Sequence, residues 1–213
     1  MLEIVTIPSG PFQTNAYLVA DTQSGLATVI DPAWDGKRIA DEAKGHHWRI
    51  VSIWVTHAHF DHLAGSAELV DQLETAPTVA LHPLDYPLWR SEGGARWFGL
   101  RIDPGPEPGF HLEHGMQMHL GKYLFEVRHV PGHTPGHVLF ACPEEKAAFV
   151  GDVIFAGGIG RTDLPGGDYE ILMESIQNQV LSLPGDMRLF PGHGPMTTVL
   201  DEQNLNPFIN SGG

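Results

Sequence analysis

The segment WVTHAHFDHLAG, residues 54–65, constrains this chain more than any other. Three histidines and an aspartate fall within six positions of it: His57, His59, Asp61 and His62. They follow the apolar run Ile50–Val55, so they sit where a strand ends and a loop begins. On an extended backbone alternate residues face the same way, and His57 and His59 can therefore reach one ion. Asp61 and His62 are expected to turn into a helix beginning near Gly65 and to face a second position beside the first. Four side chains this close in sequence cannot complete a two-metal shell, so the fold must bring further donors to them.

Later strand ends offer those donors. His133 lies in VPGHTPGH, Asp152 in AAFVGD and His193 in LFPGHG, each just after a short apolar run. His129, His133 and His137 are four apart, but Pro131, Gly132, Pro135 and Gly136 exclude a helix that would align them, so not all three are ligands. Two metals could each take two or three imidazoles and one carboxylate, with Asp152 bridging and a water or hydroxide shared between them. A nucleophile is then available at neutral pH without a serine or cysteine.

The runs Leu2–Ile7, Ala16–Ala20, Ala27–Ile30, Thr78–Leu81, Leu124–Val130, Val138–Ala141, Ala147–Val150 and Met187–Phe190 also read as strands bounded by turn residues. Helical spacing falls on Lys37–Lys44, Ser66–Glu74, Tyr169–Leu181 and Thr197–Leu205. In the third of these, Ile171, Leu172, Ser175, Ile176 and Val180 form the expected apolar stripe. The stretch Glu92–Pro108, rich in Gly and Pro, reads as an irregular excursion within one domain spanning residues 1–213. Strands mixed with covering helices give an α/β (α+β) class.

Composition narrows the partners. Of 213 residues only 12 are Lys or Arg, and the net charge of −14 argues against a nucleic-acid surface. The single cysteine, Cys142, excludes an intrachain disulfide and reads as a small buried hydrophobe. The N-terminal MLEIVTIPSG has neither a basic leader region nor a long apolar run, so the expectation is a cytoplasmic protein without a membrane partner. The oligomeric state is not set by the sequence, and a monomer is compatible with it.

THAHFDH, PGHTPGH, the GD at 151–152 and PGHG, in that order and spacing, resemble the metallo-β-lactamase superfamily. GDVIFAGGIGRTDLPGGD and PGHGPMTTVLDEQNLNPF are similar to short glyoxalase II-like hydrolases. The resemblance implies a four-layer αββα sandwich with two divalent metals at one edge of the sheets. Zinc is the expected metal, with iron and manganese also suited to these donors. It assigns His57, His59 and His133 to the first metal, Asp61, His62 and His193 to the second, and Asp152 to both. Asp61 and Asp152 would be the catalytic carboxylates, with Asp61 taking part in proton transfer from the attacking water.

Other residues follow from their place beside these motifs. His137 comes just after the ligand loop and could orient a ligand. Arg161, in GIGRTD, could meet an anionic substrate group, or form an ordinary surface salt bridge. Phe12, in the turn between the first two strands, matches a loop that overhangs the cleft in the superfamily. Tyr86, Trp89, Trp97 and Phe98 could line an apolar pocket or pack in the core. His46, His47, His111, His114 and His119 read as solvated, while His82 and His129 could face inward.

The implied reaction is hydrolysis of a hydroxyacylglutathione thioester, S-lactoylglutathione being the type substrate, by a metal-bridging hydroxide. The alternative is a mononuclear iron persulfide dioxygenase of the same fold. Full-length glyoxalase II carries an extra C-terminal helical region with basic residues for the glutathione carboxylates. Here twenty residues follow His193, and no Lys or Arg lies beyond Arg188. Asp163 also stands where glutathione-type members tend to carry an aromatic.

Overall fold

The computed structural model describes residues 1–210. One six-stranded sheet runs, in spatial order, β1 (Leu2–Ser9), β2 (Thr14–Asp21), β3 (Leu26–Ile30), β4 (Arg49–Trp54), β5 (Thr78–Leu81) and β6 (Phe110–His111). β1, β2 and β3 pair antiparallel, and β3 through β6 pair parallel. The second sheet contains β7 (Gln117–Leu120), β8 (Tyr123–His129), β9 (Val138–Cys142), β10 (Ala147–Gly151), β13 (Arg188–Pro191) and β14 (Thr197–Thr198). Its spatial order is β14-β13-β10-β9-β8-β7. A small hairpin, β11 (Ile154–Phe155) and β12 (Gly158–Ile159), leaves the end of β10.

The inner strands β3, β9 and β10 are continuous buried apolar runs because both faces of each sheet are covered there, whereas the outer strands β1, β6 and β7 are partly exposed. In β9, Val138, Phe140 and Cys142 enter the core between the sheets, while Leu139 and Ala141 face the outer core of the second sheet. In β2, Tyr17 and Val19 face the inter-sheet core, and Ala16, Leu18 and Ala20 face the outer side of the first sheet. Helices α1 (Gly36–Gly45), α2 (Phe60–Leu63) and α3 (Ser66–Asp71) cover that side through Ile39, Ala43, Leu63 and Leu69. A short α4 (Tyr86–Arg90) follows β5. The second sheet is covered by α5 (Tyr169–Ser175) and α6 (Val199–Leu205), through Leu172, Ile176, Val180 and Val199, and α7 (Pro207–Asn210) closes the described chain. The layers are therefore helix, sheet, sheet, helix, as the resemblance implied.

Several local expectations shift. The helix expected near Gly65 is two pieces, because Asp61 and His62 already lie in α2, and Gly65 separates α2 from α3 with its N–H donating to Ala33 O at 2.6 Å. The expected helix from Tyr169 to Leu181 is α-helical to Ser175 and then widens into a π turn over Ile176–Val180. Its stripe loses Ile171, which is exposed, because the helix turns that side to solvent while Leu172, Ser175, Ile176 and Val180 stay buried or nearly so. Thr197 and Thr198 form β14 rather than the start of α6, and Thr198 Oγ1 caps that helix by accepting from Asp201 N. The excursion after Glu92 contains a 3-10 segment, Glu92–Phe98, kinked at Gly93 and Gly94. The two-residue strands β6, β11, β12 and β14 have no sequence signature, since so short a pairing carries no periodicity.

Candidate metal centre

Four strand ends of the two sheets converge on one site. β4 delivers His57 and His59, and α2 continues the same loop with Asp61 and His62. β8 leads to His133, β10 to Asp152 and β13 to His193. The sheets are pinned together here: Tyr17 Oη donates to Pro191 O (2.6 Å) and Asn15 Nδ2 donates to Pro191 O and Gly194 O (3.0 and 2.9 Å). Gly192 has to be glycine, because a Cβ there would sit 2.1 Å from Asp152 Oδ1.

The donor atoms form two groups with Asp152 between them. His59 Nδ1 and His133 Nε2 are 2.8 Å apart, and His133 Nε2 and His57 Nε2 are 3.2 Å apart. Asp61 Oδ2 lies 3.3 Å from His193 Nε2 and 3.8 Å from His62 Nε2. Asp152 Oδ1 is 3.3 Å from His62 Nε2, while Oδ2 is 3.4 Å from His193 Nε2 and 3.7 Å from His133 Nε2. The sequence motifs thus bring all seven residues together: His57, His59, Asp61, His62, His133, Asp152 and His193.

The opposite ring nitrogens are largely occupied. His62 Nδ1 donates to Asp31 Oδ2 (2.8 Å), His133 Nδ1 to Arg161 O (2.7 Å) and His193 Nδ1 to Phe12 O (3.1 Å). These partners turn the remaining nitrogen of each ring toward the centre. Asp31 also accepts from Thr56 N and Thr56 Oγ1, which fixes the residue before His57. His137 lies face to face with His57, ring centroids 4.6 Å apart, and its Nε2 accepts from the Asp152 backbone N–H at 3.0 Å. It therefore supports two of the candidate ligands and belongs to neither donor group.

Charge in the site is unevenly distributed. Burial, reinforced by neighbouring imidazoles, holds His57 and His137 well below the usual histidine range and His59 at about 3. His133 is also lowered, chiefly by burial. Burial opposes a charge on His62 too, but Asp152, Asp61 and Asp31 outweigh it and hold His62 well above its ordinary value. For His193 the same balance, against Asp152 and Asp61, gives about 9. Burial works against the charge of Asp61, yet His62 and His193 pull that carboxyl down to about 2.

The donor set fits cations. Three neutral imidazoles whose lone pairs meet within hydrogen-bond distance cannot all donate to one another. His62 Nε2 and Asp152 Oδ1 face each other across the centre at 3.3 Å, and among the described residues these buried atoms, like His59 Nε2, have no well-formed hydrogen bond. His57, His59 and His133 form one candidate metal group and Asp61, His62 and His193 another. Imidazole and carboxylate donors in this number suit zinc, iron or manganese.

The centre opens into a cleft of about 350 Å³. Phe12, Phe98, Phe155, Ile159 and Leu164 give it apolar walls, and Arg161 reaches it from the β12 side. The Arg161 guanidinium grips the Asp163 carboxylate through two 2.7 Å bonds, so Arg161 lines the cleft and forms a surface salt bridge. Tyr86 and Trp89 instead hold the 104–108 segment, donating to Pro108 O and Pro104 O, and Trp97 is exposed away from the cleft lining. His46, His47, His111, His114 and His119 are exposed, and Cys142 is fully buried. Asp31 was not singled out from sequence, although ATVID ends a strand in a carboxylate just as AAFVGD does. No described helix is long and apolar enough to cross a membrane.

Known proteins share this arrangement of chain. The family model for the metallo-beta-lactamase superfamily matches residues 9–193. A hydroxyacylglutathione hydrolase, GloC of Haemophilus influenzae, is 39% identical over 213 residues, covering 99% of each chain. The mitochondrial persulfide dioxygenase ETHE1 of Homo sapiens is 32% identical over 199 residues, covering 91% of this chain and 70% of that one. Among solved structures, TTHA1623 in a di-iron-bound form is 42% identical with a TM-score of 0.86, covering 96% of this chain and 99% of that one.

Proposed function

The chain belongs to the metallo-beta-lactamase superfamily, and on that premise we propose that it hydrolyses a small-molecule thioester of the hydroxyacylglutathione type at two divalent metal ions. One observation carries the reading: Asp152 stands between two complete donor groups at the floor of an apolar-walled cleft. The GloC relative, alike over almost the whole of both chains, supports the thioester class.

His57, His59 and His133 would hold one ion, Asp61, His62 and His193 the other, and Asp152 would touch both. Bound there, such ions supply a water acidified to near neutrality and a positive charge against a developing oxyanion. The chain's own residues do the rest. Asp61, ionised at neutral pH, accepts a hydrogen bond from Thr14 Oγ1 (2.8 Å), which fixes one oxygen and leaves the carboxylate able to accept a hydrogen bond from the attacking water and orient it. Phe12, Phe98 and Phe155 wall off the cleft and hold the apolar part of the substrate. The departing thiolate needs little acid assistance, since an ordinary thiol titrates at about 8.5.

The persulfide dioxygenase reading is favoured by one observation, the 32% identity to the human enzyme over 199 residues. Metal analysis combined with turnover separates the two. Wild type is expected to bind two ions per chain and to hydrolyse S-lactoylglutathione. Asp152→Ala should lose bound metal and at least about 10³-fold in kcat/KM, as expected for a group shared by the whole catalytic unit. Oxygen uptake on glutathione persulfide, or β-lactam cleavage, with no thioesterase activity would overturn the reading.

A further inference from the structure

Asp85 is a fully buried carboxylate with no role in either donor group. It closes the 3-10 turn Pro83–Asp85 that follows β5 and enters α4. Its Oδ2 accepts from Ala58 N at 2.9 Å and from Thr134 Oγ1 at 2.8 Å, and its Oδ1 accepts from Gly136 N at 2.6 Å. Ala58 is the residue between His57 and His59. Thr134 follows His133, and Gly136 precedes His137. One side chain therefore ties together the two loops that supply the first donor group, from two different sheets.

The surroundings were shaped to admit it. A Cβ on Gly136 would stand 2.7 Å from Asp85 N and from Asp85 Oδ1, so only glycine lets that backbone come so close. Among the described residues no lysine or arginine pairs with Asp85. An ionised carboxylate only accepts hydrogen bonds, and here every contact comes from a donor, which compensates its burial without a counter-ion. Asp31 grips Thr56 and His62 from the other side of the same loop. Asp31 reaches His62 of the second donor group and, through Thr56, the residue before His57, whereas Asp85 touches only the loops of the first.

We propose that Asp85 is a positioning residue for the first metal, holding the His57–His59 loop and the His133 loop at the separation one ion requires. This rests on the two-metal reading above, but not on the identity of the substrate. Asp85→Asn keeps the shape and turns one accepting oxygen into an NH2 group that faces a donor. Thr134→Val removes a single contact and is the gentler variant.

The test is zinc binding by chelator competition, with each donor group isolated. A His193→Ala background leaves the first group intact, and a His59→Ala background leaves the second. In the first background Asp85→Asn should weaken zinc binding by roughly 10- to 100-fold, the usual scale for a partner that orients ligands, and Thr134→Val by less. In the second background neither change should alter affinity. The melting temperature of the metal-free protein serves as the control for folding. Equal losses in both backgrounds, or a lower melting temperature with zinc affinity unchanged, would overturn the proposal. Zinc binding as expected with no thioester hydrolysis by wild type would leave Asp85 in its role and remove only the substrate reading.

Discussion

The floor and the rim of the cleft are built by different rules. On the floor, His57, His62 and His137 are fully buried and Asp31 and His133 are 2% exposed. Nearly every one of these side chains is held by a second residue behind it. On the rim, Phe12 and Phe98 are 43% and 40% exposed and touch mainly other aromatics, 6.2 Å apart between ring centroids. Arg161 is held at its guanidinium by Asp163, itself exposed. A buried polar network tolerates no slack, because an unpaired member keeps its full desolvation cost. Exposed contacts exchange freely with water. Changes on the floor should therefore act on metal binding and kcat, and changes on the rim on KM.

The sharpest way to break this contrast is Asp31→Asn. It removes the acceptor that orients His62, and the second ion should bind roughly 10- to 100-fold more weakly, read by zinc stoichiometry against a chelator. A variant that keeps both ions would show that the floor does not depend on its buried acids.

Phe12→Ala tests the rim. Its ring packs edge-on against Phe60 at 5.3 Å, and losing it should raise KM by several-fold, about 1 kcal/mol, with metal content intact. A fall in bound metal instead would place Phe12 with the floor, through the hydrogen bond that its carbonyl accepts from His193.

A pH prediction probes the ground just behind Asp85. His82 stacks on His129 at 4.3 Å, and burial, then the neighbouring imidazole, lowers its pKa to about 4. The unfolded chain takes up that proton near 6.5, while the folded chain refuses it until about 4. The contribution is thus complete above pH 6.5 and is lost as the pH falls toward 4. Screening at this half-exposed site leaves about 1 kcal/mol, so His82→Gln should spare about 2–4 °C of melting temperature across that window. A wild type and variant that melt in parallel over the window would refute it.

The smallest effect belongs to Asp163→Ala. Solvent screens a pair this exposed, so freeing Arg161 should lower KM for an anionic thioester only about 1.5- to 5-fold, and less at high salt. An unchanged KM at low salt would mean that Arg161 does not meet the anionic end of the substrate.

How much was legible follows the same line. The candidate ligands could be read because each sits at a strand end in a short polar motif, and apolar runs without alternation announce sheets covered on both faces. His137 could be placed beside the ligands, yet not its stacking on His57. Asp31 carries the same strand-end signal as Asp152, but its partners, Thr56 and His62, are some thirty residues away and no local pattern links them. Asp85 carried no signal at all: PLD in a turn looks like any surface turn, and its three donors come from loops far along the chain.

The sequence by itself determined the apolar strands and, through motifs that resemble a known family, the set of candidate metal donors, because those depend on local hydrophobic pattern and on short polar motifs. Only the tertiary structure decided which acids orient the donors and which residues reach the cleft, because a buried carboxylate is defined by the donors that surround it. Those donors are neighbours in space and strangers in sequence.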